Sequence, residues 1–336
     1  MHVPARIAVA AALVSILTFP VPARAAGSAF ELEGGTKVLP PIQFKQLAIF
    51  PVVTDDGPKD ATRYLTLAEG LKQKKVVVSE QKDGAQVNRV TIENRSDQPL
   101  LLLGGELILG GQQDRVISKN TLLAPRQQAS LEVYCVEHGR WQGRSDFQMA
   151  GGIAAHKIRV RAEHRSDQGQ VWQAVAAENA ALGAAPPTGT YRNIATGSEG
   201  TKATQAYRDA IGAAIAKLPQ SRQMVGIIAA INGRVVSMDV FSTPELFASH
   251  RDRLLDSIFV SAATAPVAQG AEKAPTAGDI KSFVLQADKA KADVIADDER
   301  SRTTQRHAKD VVSSTVEAKS GGAIGGAVYK SYQANE

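Results

Sequence analysis

The chain has 336 residues, of which 39 are Lys or Arg and 34 are Asp or Glu, so its net charge is +5. This small excess is not gathered into a dense basic run with interleaved aromatic residues, which argues against nucleic-acid binding. Cys135 is the only cysteine and cannot form an intramolecular disulfide, so the folded state must depend on a hydrophobic core.

The N-terminal segment has the features of a secretory signal peptide. Arg6 supplies a positive charge, and residues 7–19 are apolar but too few to span a membrane. Residues 23–25 read Ala-Arg-Ala, the small-x-small pattern that precedes a cleavage site. We therefore predict a signal peptide over residues 1–25 and an exported, soluble protein, periplasmic or secreted, with no membrane span after cleavage.

The next part of the chain predicts a strand-rich block. Residues 26–42 are polar and rich in glycine, and we interpret them as a flexible leader. Short apolar or alternating runs then follow with only brief polar turns between them. Because parallel strands need crossovers of about a dozen residues, these connections predict largely antiparallel pairing. The predicted strands include residues 47–53, 76–78, 87–92, 100–103, 106–109 and 129–136.

Helices enter the pattern after this block. Residues 157–162 alternate in polarity and still predict a strand, with Arg159, Arg161 and Glu163 on one solvated face. Asp167 is suited to cap a helix that ends near residue 182. Residues 201–218 predict a second helix.

A hairpin and a capped helix complete the main domain. Residues 225–241 form the clearest hairpin of the chain, with Asn-Gly as its turn. Thr243 is suited to cap the following helix, because Pro244 takes the first helical position. Together these elements predict an α+β fold over residues 43–260, in which a largely antiparallel β block in the N-terminal half is joined to helices and a β-hairpin in the C-terminal half.

The remaining residues predict an appended segment. Residues 261–278 are rich in Ala, Pro and Gly and predict a linker or long loop. Asp279 is then suited to cap a helix whose apolar stripe extends to Val294 and Ile295. Residues 279–336 are therefore predicted to contain this helix and two later strands that could form a closing hairpin.

Two segments concentrate the unusual residues of the chain. Residues 104–115 read GGELILGGQQDR, and residues 133–141 read VYCVEHGRW. The glycine pairs could adopt positive φ and turn backbone N–H groups toward a ligand, or they could mark bulges and tight turns at the ends of a strand. The candidate ligand-binding residues of the two segments are Glu106, Gln113, Asp114, Arg115, Glu137, Arg140 and Trp141.

The chemistry of these candidates leaves alternatives open. Glu106 and Asp114 are the candidates for a catalytic acid or base, because carboxylates beside a guanidinium could orient a sugar or phosphate or transfer a proton. The same residues would equally suit a surface ion-pair cluster beside a turn. Arg140 next to Trp141 suits a nucleotide or glycan, whereas the alternative is Trp141 in the core with Arg140 extended over it.

Cys135 lies in an apolar run, which favours a buried structural thiol over a reactive one. A metal site would need Cys135 and His138 to be joined by His156 or His164. Because this spacing matches no established zinc pattern, we predict no metal site. The sequence identifies no cofactor.

The two segments resemble the ARG (ADP-ribosylglycohydrolase) and rhodanese-phosphatase-superfamily-associated protein domain family. The similarity extends over roughly residues 43–260 and includes the hairpin at residues 225–241. The family is named for its gene associations, so the resemblance implies no particular activity.

The sequence therefore supports three functional hypotheses. The leading one is an exported domain that binds a small polar or anionic ligand, nucleotide-like or sugar-like, at the two segments. The first alternative is a hydrolase acting on a phosphorylated or ADP-ribose-like compound, which rests on the gene associations alone. The second alternative is a partner-binding scaffold, which a large apolar surface patch would favour.

Overall fold

An antiparallel sheet of 11 strands and a closed barrel of six strands account for most of the β structure. The computed structural model describes residues 24–25, 28–32, 35–55, 62–81, 88–140, 142–143, 146–165, 167–268, 273–320 and 322–335. The predicted signal peptide as far as residue 23 and the candidate Trp141 lie outside the described residues. Within the described ranges, no helix is long and apolar enough to cross a membrane.

The strands alternate with a few helices in the first half and with many in the second. The strands are β1 (Arg24–Ala25), β2 (Phe30–Leu32), β3 (Thr36–Val38), β4 (Ile42–Phe44), β5 (Leu47–Thr54), β6 (Leu65–Thr66), β7 (Val76–Glu80), β8 (Arg89–Asn94), β9 (Leu100–Leu102), β10 (Glu106–Gly110), β11 (Arg115–Ile117), β12 (Thr121–Leu123), β13 (Gln128–Cys135), β14 (Asp146–Ile153), β15 (Met224–Ile231), β16 (Arg234–Phe241), β17 (Ala292–Asp297), β18 (Ser301–His307), β19 (Val311–Ser320) and β20 (Ala323–Ala334). The α-helices are α1 (Leu67–Lys72), α2 (His156–Val160), α3 (Gln168–Ala181), α4 (Arg192–Ala195), α5 (Ser198–Tyr207), α6 (Ala213–Ala216), α7 (Pro244–Thr264) and α8 (Ala277–Asp288).

The barrel has the strand order β10-β11-β13-β8-β7-β14, and every pair in it that the structure describes is antiparallel. Side chains on one face of these strands are apolar and pack together inside the barrel, among them Val78, Ile92, Ile108 and Val133. The three-stranded sheet β12-β9-β6 contributes leucines to the same core.

The large sheet has the order β1-β4-β5-β15-β16-β20-β19-β18-β17, and the β2–β3 hairpin joins it through β5. Its central strand β15 is buried along its whole length. Ile227 packs in the cluster that contains residues of α7, whereas Ile228 packs in the cluster that contains residues of α8. Helices cover both faces of β15, which explains why its sequence is apolar without interruption.

These elements confirm the predicted α+β class. The predicted hairpin corresponds to β15 and β16, and the predicted helix caps at Asp167 and Thr243 are both present. Residues 311–334 form the antiparallel pair β19–β20, which continues the large sheet next to β16.

Several sequence-based predictions about local structure are wrong. The described part of residues 26–42 is not a flexible leader, because the β2–β3 hairpin pairs with β5 and Val38 is buried. Residues 157–162 are not a strand but helix α2, continued by a π-helical turn at Arg161–Arg165. Arg159 and Glu163 do not lie on a solvated face, because helical spacing brings them together in the interior.

A further error concerns α8. Thr276, and not Asp279, is its N-cap, and Asp279 completes a capping box by accepting from the Thr276 backbone N–H. The helix ends at Asp288, so Val294 lies on the edge strand β17 and not on a helical stripe.

Candidate functional site

Four charged side chains meet at one end of the barrel: Asp114, Glu137, Arg140 and Arg192. Asp114 precedes β11, and Glu137 follows β13. These strands are antiparallel neighbours, so the start of one lies beside the end of the other. The Val136 N–H donates to the carbonyl of Asp114 at 3.0 Å, which continues the pairing to the rim of the barrel.

Two backbone hydrogen bonds attach a distant loop to this end of the barrel. Gly139 N–H donates to the carbonyl of Thr188 at 2.8 Å, and Tyr191 N–H donates to the carbonyl of Val136 at 2.9 Å. The Tyr191 ring is buried in the core that α3 shares with the outer face of the barrel. This attachment places Arg192, the first residue of α4, against Asp114.

Asp114 is fully buried, and donors surround its carboxylate. Arg192 binds it with two nitrogens, Nε to Oδ2 at 2.9 Å and Nη2 to Oδ1. Gly110 N–H donates to Oδ1 at 2.9 Å, and Thr190 Oγ1 donates to Oδ2 at 3.3 Å. The hydrogen bond to the Asp114 carboxylate raises the pKa of Arg192, so the guanidinium of this two-point contact stays charged at every physiological pH.

Glu137 forms the second ion pair of the site. Its Oε2 accepts from Arg140 Nε at 2.8 Å, and its Oε1 accepts from Thr188 Oγ1 at 2.8 Å. Arg140 Nη2 also lies 3.4 Å from Asp114 Oδ1, which links the two pairs into one network. Two carboxylates and two guanidiniums are thus held together, and their charges balance.

Gln113 and Arg115 lie behind this network. Gln113 Nε2 donates to the carbonyl of Glu137 at 2.8 Å, and Gln113 Oε1 accepts from Arg115 Nη1 at 3.1 Å. Arg115 is fully buried on the interior face of the barrel, where its Nη2 lies 3.3 Å from Glu80 Oε1 and its Nη1 contacts Cys135 Sγ. Arg115 therefore supports the site from inside and does not reach its surface.

The second glycine pair shapes the rim of the site. Gly110 has φ of 125° and Gly111 has φ of 55°, values that side-chain-bearing residues rarely adopt. Gly110 N–H is directed to Asp114 and Gly111 N–H to the carbonyl of Asp146, while the carbonyl of Gly111 accepts from Arg140 Nη1 at 3.0 Å. The N–H groups of this pair thus bind the protein itself, and the turn they form positions Asp114 and Arg140.

An open cleft of about 750 Å³ adjoins the four-residue network. Arg192 and Arg140 extend to it, with side chains that are 43% and 26% exposed. Its wall also includes Met149, a methionine that is 47% exposed. The residues that line the cleft are Leu109, Gly110, Gly111, Glu137, Arg140, Gly143, Asp146, Gln148, Met149, Thr190 and Arg192.

Of the predicted site residues, Gln113, Asp114, Glu137 and Arg140 come together here, and Glu106 does not. Glu106 is buried at the other end of β10, where its Oε2 accepts from Leu103 N–H at 2.9 Å and its Oε1 lies 3.6 Å from Arg253 Nη1. Burial raises the pKa of Glu106, against the opposing effect of Arg253.

Sequence reasoning did not identify Arg192, Thr188 or Thr190. All three belong to a stretch of Pro, Gly, Ser and Thr that the sequence presents only as a loop. Arg192 is 78 residues from Asp114 along the chain, and no sequence pattern near either residue indicates that the two form an ion pair. Tyr191, an aromatic residue within this polar loop, is the one feature that indicates an anchored segment.

A second polar cluster is fully enclosed between α2, the barrel and the large sheet. Arg159 Nη2 donates to Asp239 Oδ1 at 2.9 Å and to the Tyr329 hydroxyl at 2.7 Å, and Arg159 Nε donates to Glu163 Oε1 at 2.7 Å. All four side chains are buried, and none of them lines the cleft. The first glycine pair lies against it, because a Cβ on Gly104 would overlap Glu163 and one on Gly105 would overlap Arg159.

The described residues include no group of three or more His, Cys, Asp or Glu side chains arranged to hold a metal ion. The family model for the ARG and Rhodanese-Phosphatase-superfamily-associated Protein domain matches residues 35–329, which confirms the resemblance of the two segments. Comparison with curated proteins and comparison with solved structures gave no match.

Proposed function

The chain belongs to the ARG and Rhodanese-Phosphatase-superfamily-associated Protein domain family, and we propose that its cleft binds a small, hydroxyl-rich, sugar-like ligand. The family name states no activity for the domain itself, so the proposal rests on the cleft. The observation that carries this proposal is the network of Asp114, Glu137, Arg140 and Arg192 on one wall. Backbone hydrogen bonds join the three separate segments of the chain that form this network.

The charge balance of the cleft favours an uncharged polar ligand over an anion. Each arginine is already bound to a carboxylate, and Asp146 also lines the wall. An anion would have to compete with these carboxylates for the guanidiniums. A hydroxyl group, in contrast, can donate to a carboxylate and accept from an arginine without breaking either ion pair.

Arg192 offers the clearest donor to such a ligand. Its Nε and Nη2 are engaged by Asp114, and within the described part of the chain its Nη1 makes no hydrogen bond. The exposed side chain of Met149 adds an apolar surface, which suits the less polar face of a sugar ring. The site thus combines fixed donors and acceptors with an apolar contact.

Hydrolysis receives less support from these contacts. Both oxygens of Asp114 and both oxygens of Glu137 already accept hydrogen bonds, and Asp114 is fully buried. A general acid or base must reach the proton that it transfers. Glu106 is enclosed as well, so neither proposed catalytic carboxylate faces the cleft.

Ligand-observed NMR and calorimetry with monosaccharides, disaccharides, nucleoside monophosphates and sugar phosphates test the proposal. We expect neutral sugars to bind and the anionic compounds to bind more weakly. Arg192→Ala should weaken sugar binding at least tenfold, in line with the loss of a hydrogen bond to a charged group.

The matched control is Arg208→Ala, because Arg208 is 41% exposed and pairs with Asp256 outside the cleft. Absence of binding by any sugar at millimolar concentration, or an equal effect of the two substitutions, would exclude this function.

We also propose that the domain acts outside the cytoplasm, on the strength of the predicted signal peptide. Cleavage after Ala25 would remove β1, a two-residue edge strand, and leave the rest of the large sheet intact. Mass spectrometry of the exported protein should give an N-terminus at Ala26 or Gly27. Recovery of exported protein that retains Met1 would contradict this proposal.

A further inference from the structure

A groove of about 470 Å³ lies between α8 and the face of the large sheet formed by β16 and β20. It is separate from the polar cleft, with which it shares no lining residue. Its volume is within the range of about 300–1,000 Å³ that small-molecule sites occupy.

The groove is a gap in the packing of α8. A helix that packs on a sheet usually buries residues at spacings of three, four and seven. In α8 only Ile280 and Ala287 are buried, seven residues apart, while Val284 between them is half-buried and lines the groove. Leu285, which is 47% exposed, extends the apolar wall of the helix.

The opposite wall is also apolar. Met238 and Val240 of β16 face the helix, and Leu32 of the β2–β3 hairpin closes one side. Val240 and Leu32 are only partly buried, so the described structure leaves apolar area uncovered on both walls. Covering this area with an aliphatic chain would be favourable by the hydrophobic effect.

The mouth of the groove carries two lysines and two acids. Lys330 pairs with Val240 in the sheet register, and Lys281 precedes Val284 and Leu285 by about one helical turn. Neither lysine makes an ion pair within the described residues, and Lys281 Nζ only lies over the Phe30 ring at 5.7 Å. They stand on opposite walls, one on the sheet and one on the helix.

The two acids differ from each other in their hydrogen-bonded partners. Asp288 already accepts a hydrogen bond from the Tyr332 hydroxyl at 3.0 Å, so part of its capacity is used. Glu31 lies on the β2 side of the mouth. Asp288 keeps its negative charge, so the groove has two ammonium groups and two carboxylates. Within the described residues no ion pair joins them, and both ammonium groups therefore keep donors for a ligand.

We infer that this groove binds a fatty-acid-like ligand, with its aliphatic chain between α8 and β16 and its carboxylate between Lys281 and Lys330. The apolar walls account for the chain, and the two lysines account for the charge of the head group. The proposed ligand is a free, single-chain carboxylate.

Calorimetry with octanoate, decanoate and dodecanoate, on the full-length chain, tests the apolar part of the inference. Affinity should rise by roughly tenfold for each two-carbon extension, the effect of burying two methylene groups. Val284→Phe should fill the groove and weaken dodecanoate binding at least tenfold. Val294→Phe is the control, because Val294 is an exposed valine of the same sheet that does not line the groove.

Dodecylamine and dodecanol test the recognition of the head group. Dodecanoate should bind more tightly than either, and Lys330→Gln should weaken dodecanoate by about two- to fivefold, the effect of one exposed ion pair. Lys330 is exposed, so this variant tests the site without endangering the fold. Equal or tighter binding of dodecylamine, or affinity that does not depend on chain length, would overturn the inference.

Discussion

Arg159 Nε donates to Glu163 Oε1 at 2.7 Å, four residues along one helical segment, and both side chains are buried between the barrel and the large sheet. Asp239 of the large sheet accepts from the same guanidinium at 2.9 Å. Arg159 thus connects α2, the π-helical turn that follows it and the large sheet. We expect this buried ion pair to hold the two β structures in their relative position.

Arg159→Met tests this role, because it removes the guanidinium and keeps the length of the side chain. The carboxylate of Asp239 would remain buried without its cation, so the free energy of unfolding should fall by about 3–5 kcal/mol. Chemical denaturation measures the change. Arg95→Met is the control, since its ion pair with Glu93 is exposed to solvent and should contribute little to stability. Equal losses in the two variants would contradict the prediction.

The pH dependence of stability provides a second test of the same cluster. Burial raises the pKa of Glu163 above its ordinary value of 4.5, although Arg159 acts in the opposite direction. A carboxyl group whose pKa is raised by folding favours the folded state below pH 4.5. That contribution is lost as the pH rises through the raised value.

Glu163→Gln removes this titration and keeps the hydrogen-bond acceptor for Arg159. Relative to the unmodified chain, the variant should gain stability as the pH is increased from about 4.5 toward neutrality. Denaturation midpoints measured across this range give the comparison. Glu93→Gln should show no such gain, because Arg95 lowers the pKa of the exposed Glu93. Parallel curves for Glu163→Gln and the unmodified chain would argue that Glu163 is ionised throughout.

The features that sequence predicts well are those encoded by neighbouring residues. Thr243 caps α7 because its hydroxyl, the ring of Pro244 and the early acid Glu245 all act within one turn. The β15–β16 hairpin follows in the same way from Asn232 and Gly233, which both adopt positive φ.

Residues 157–162 were mispredicted because two periods coincide there. Ile158, Val160 and Ala162 recur every second residue, as in a strand, but Arg159 and Glu163 are four apart, as in a helix. The tertiary structure decides between them by burying the charged pair beside Asp239, which is 80 residues from Arg159. Short-range polarity contains no information about that partner.

The candidate site also depends on partners that are distant along the chain and that the sequence does not indicate. Asp114, Glu137 and Arg140 lie at two adjacent strand ends, so the sequence could place them together. Arg115 differs because closure of the barrel turns its side chain inward to Glu80, which a linear pattern cannot indicate. Arg192 reaches the site only through the anchored loop.

The cap of α7 provides a local test of helix stability. Thr243 Oγ1 accepts from Leu246 N–H at 3.2 Å, and Thr243 is buried. Thr243→Ala should reduce the free energy of unfolding by about 1 kcal/mol, because the Leu246 N–H loses its acceptor. Thr243→Ser keeps the acceptor and should retain most of the stability. A chemical denaturation midpoint that is unchanged in the alanine variant would exclude this contribution.

Cys135 should be needed for packing and not for chemistry. Its side chain is fully buried on the interior face of the barrel, beside Arg115 and in the same strand as Val133. Burial raises the pKa of the thiol to about 11, although Arg115 acts in the opposite direction, so little thiolate forms at neutral pH. A thiol reagent should therefore label the native protein slowly and the unfolded protein rapidly.

Cys135→Ala separates the two roles of the thiol. The substitution should reduce the free energy of unfolding by about 1 kcal/mol or somewhat more, because it leaves a small cavity inside the barrel. Sugar binding in the cleft should persist, since Cys135 does not line it. Arg192→Ala should in contrast lose sugar binding, and it should also reduce stability, because the buried carboxylate of Asp114 loses its two-point partner. Rapid labelling of the native protein together with loss of binding in Cys135→Ala would instead identify a reactive thiol.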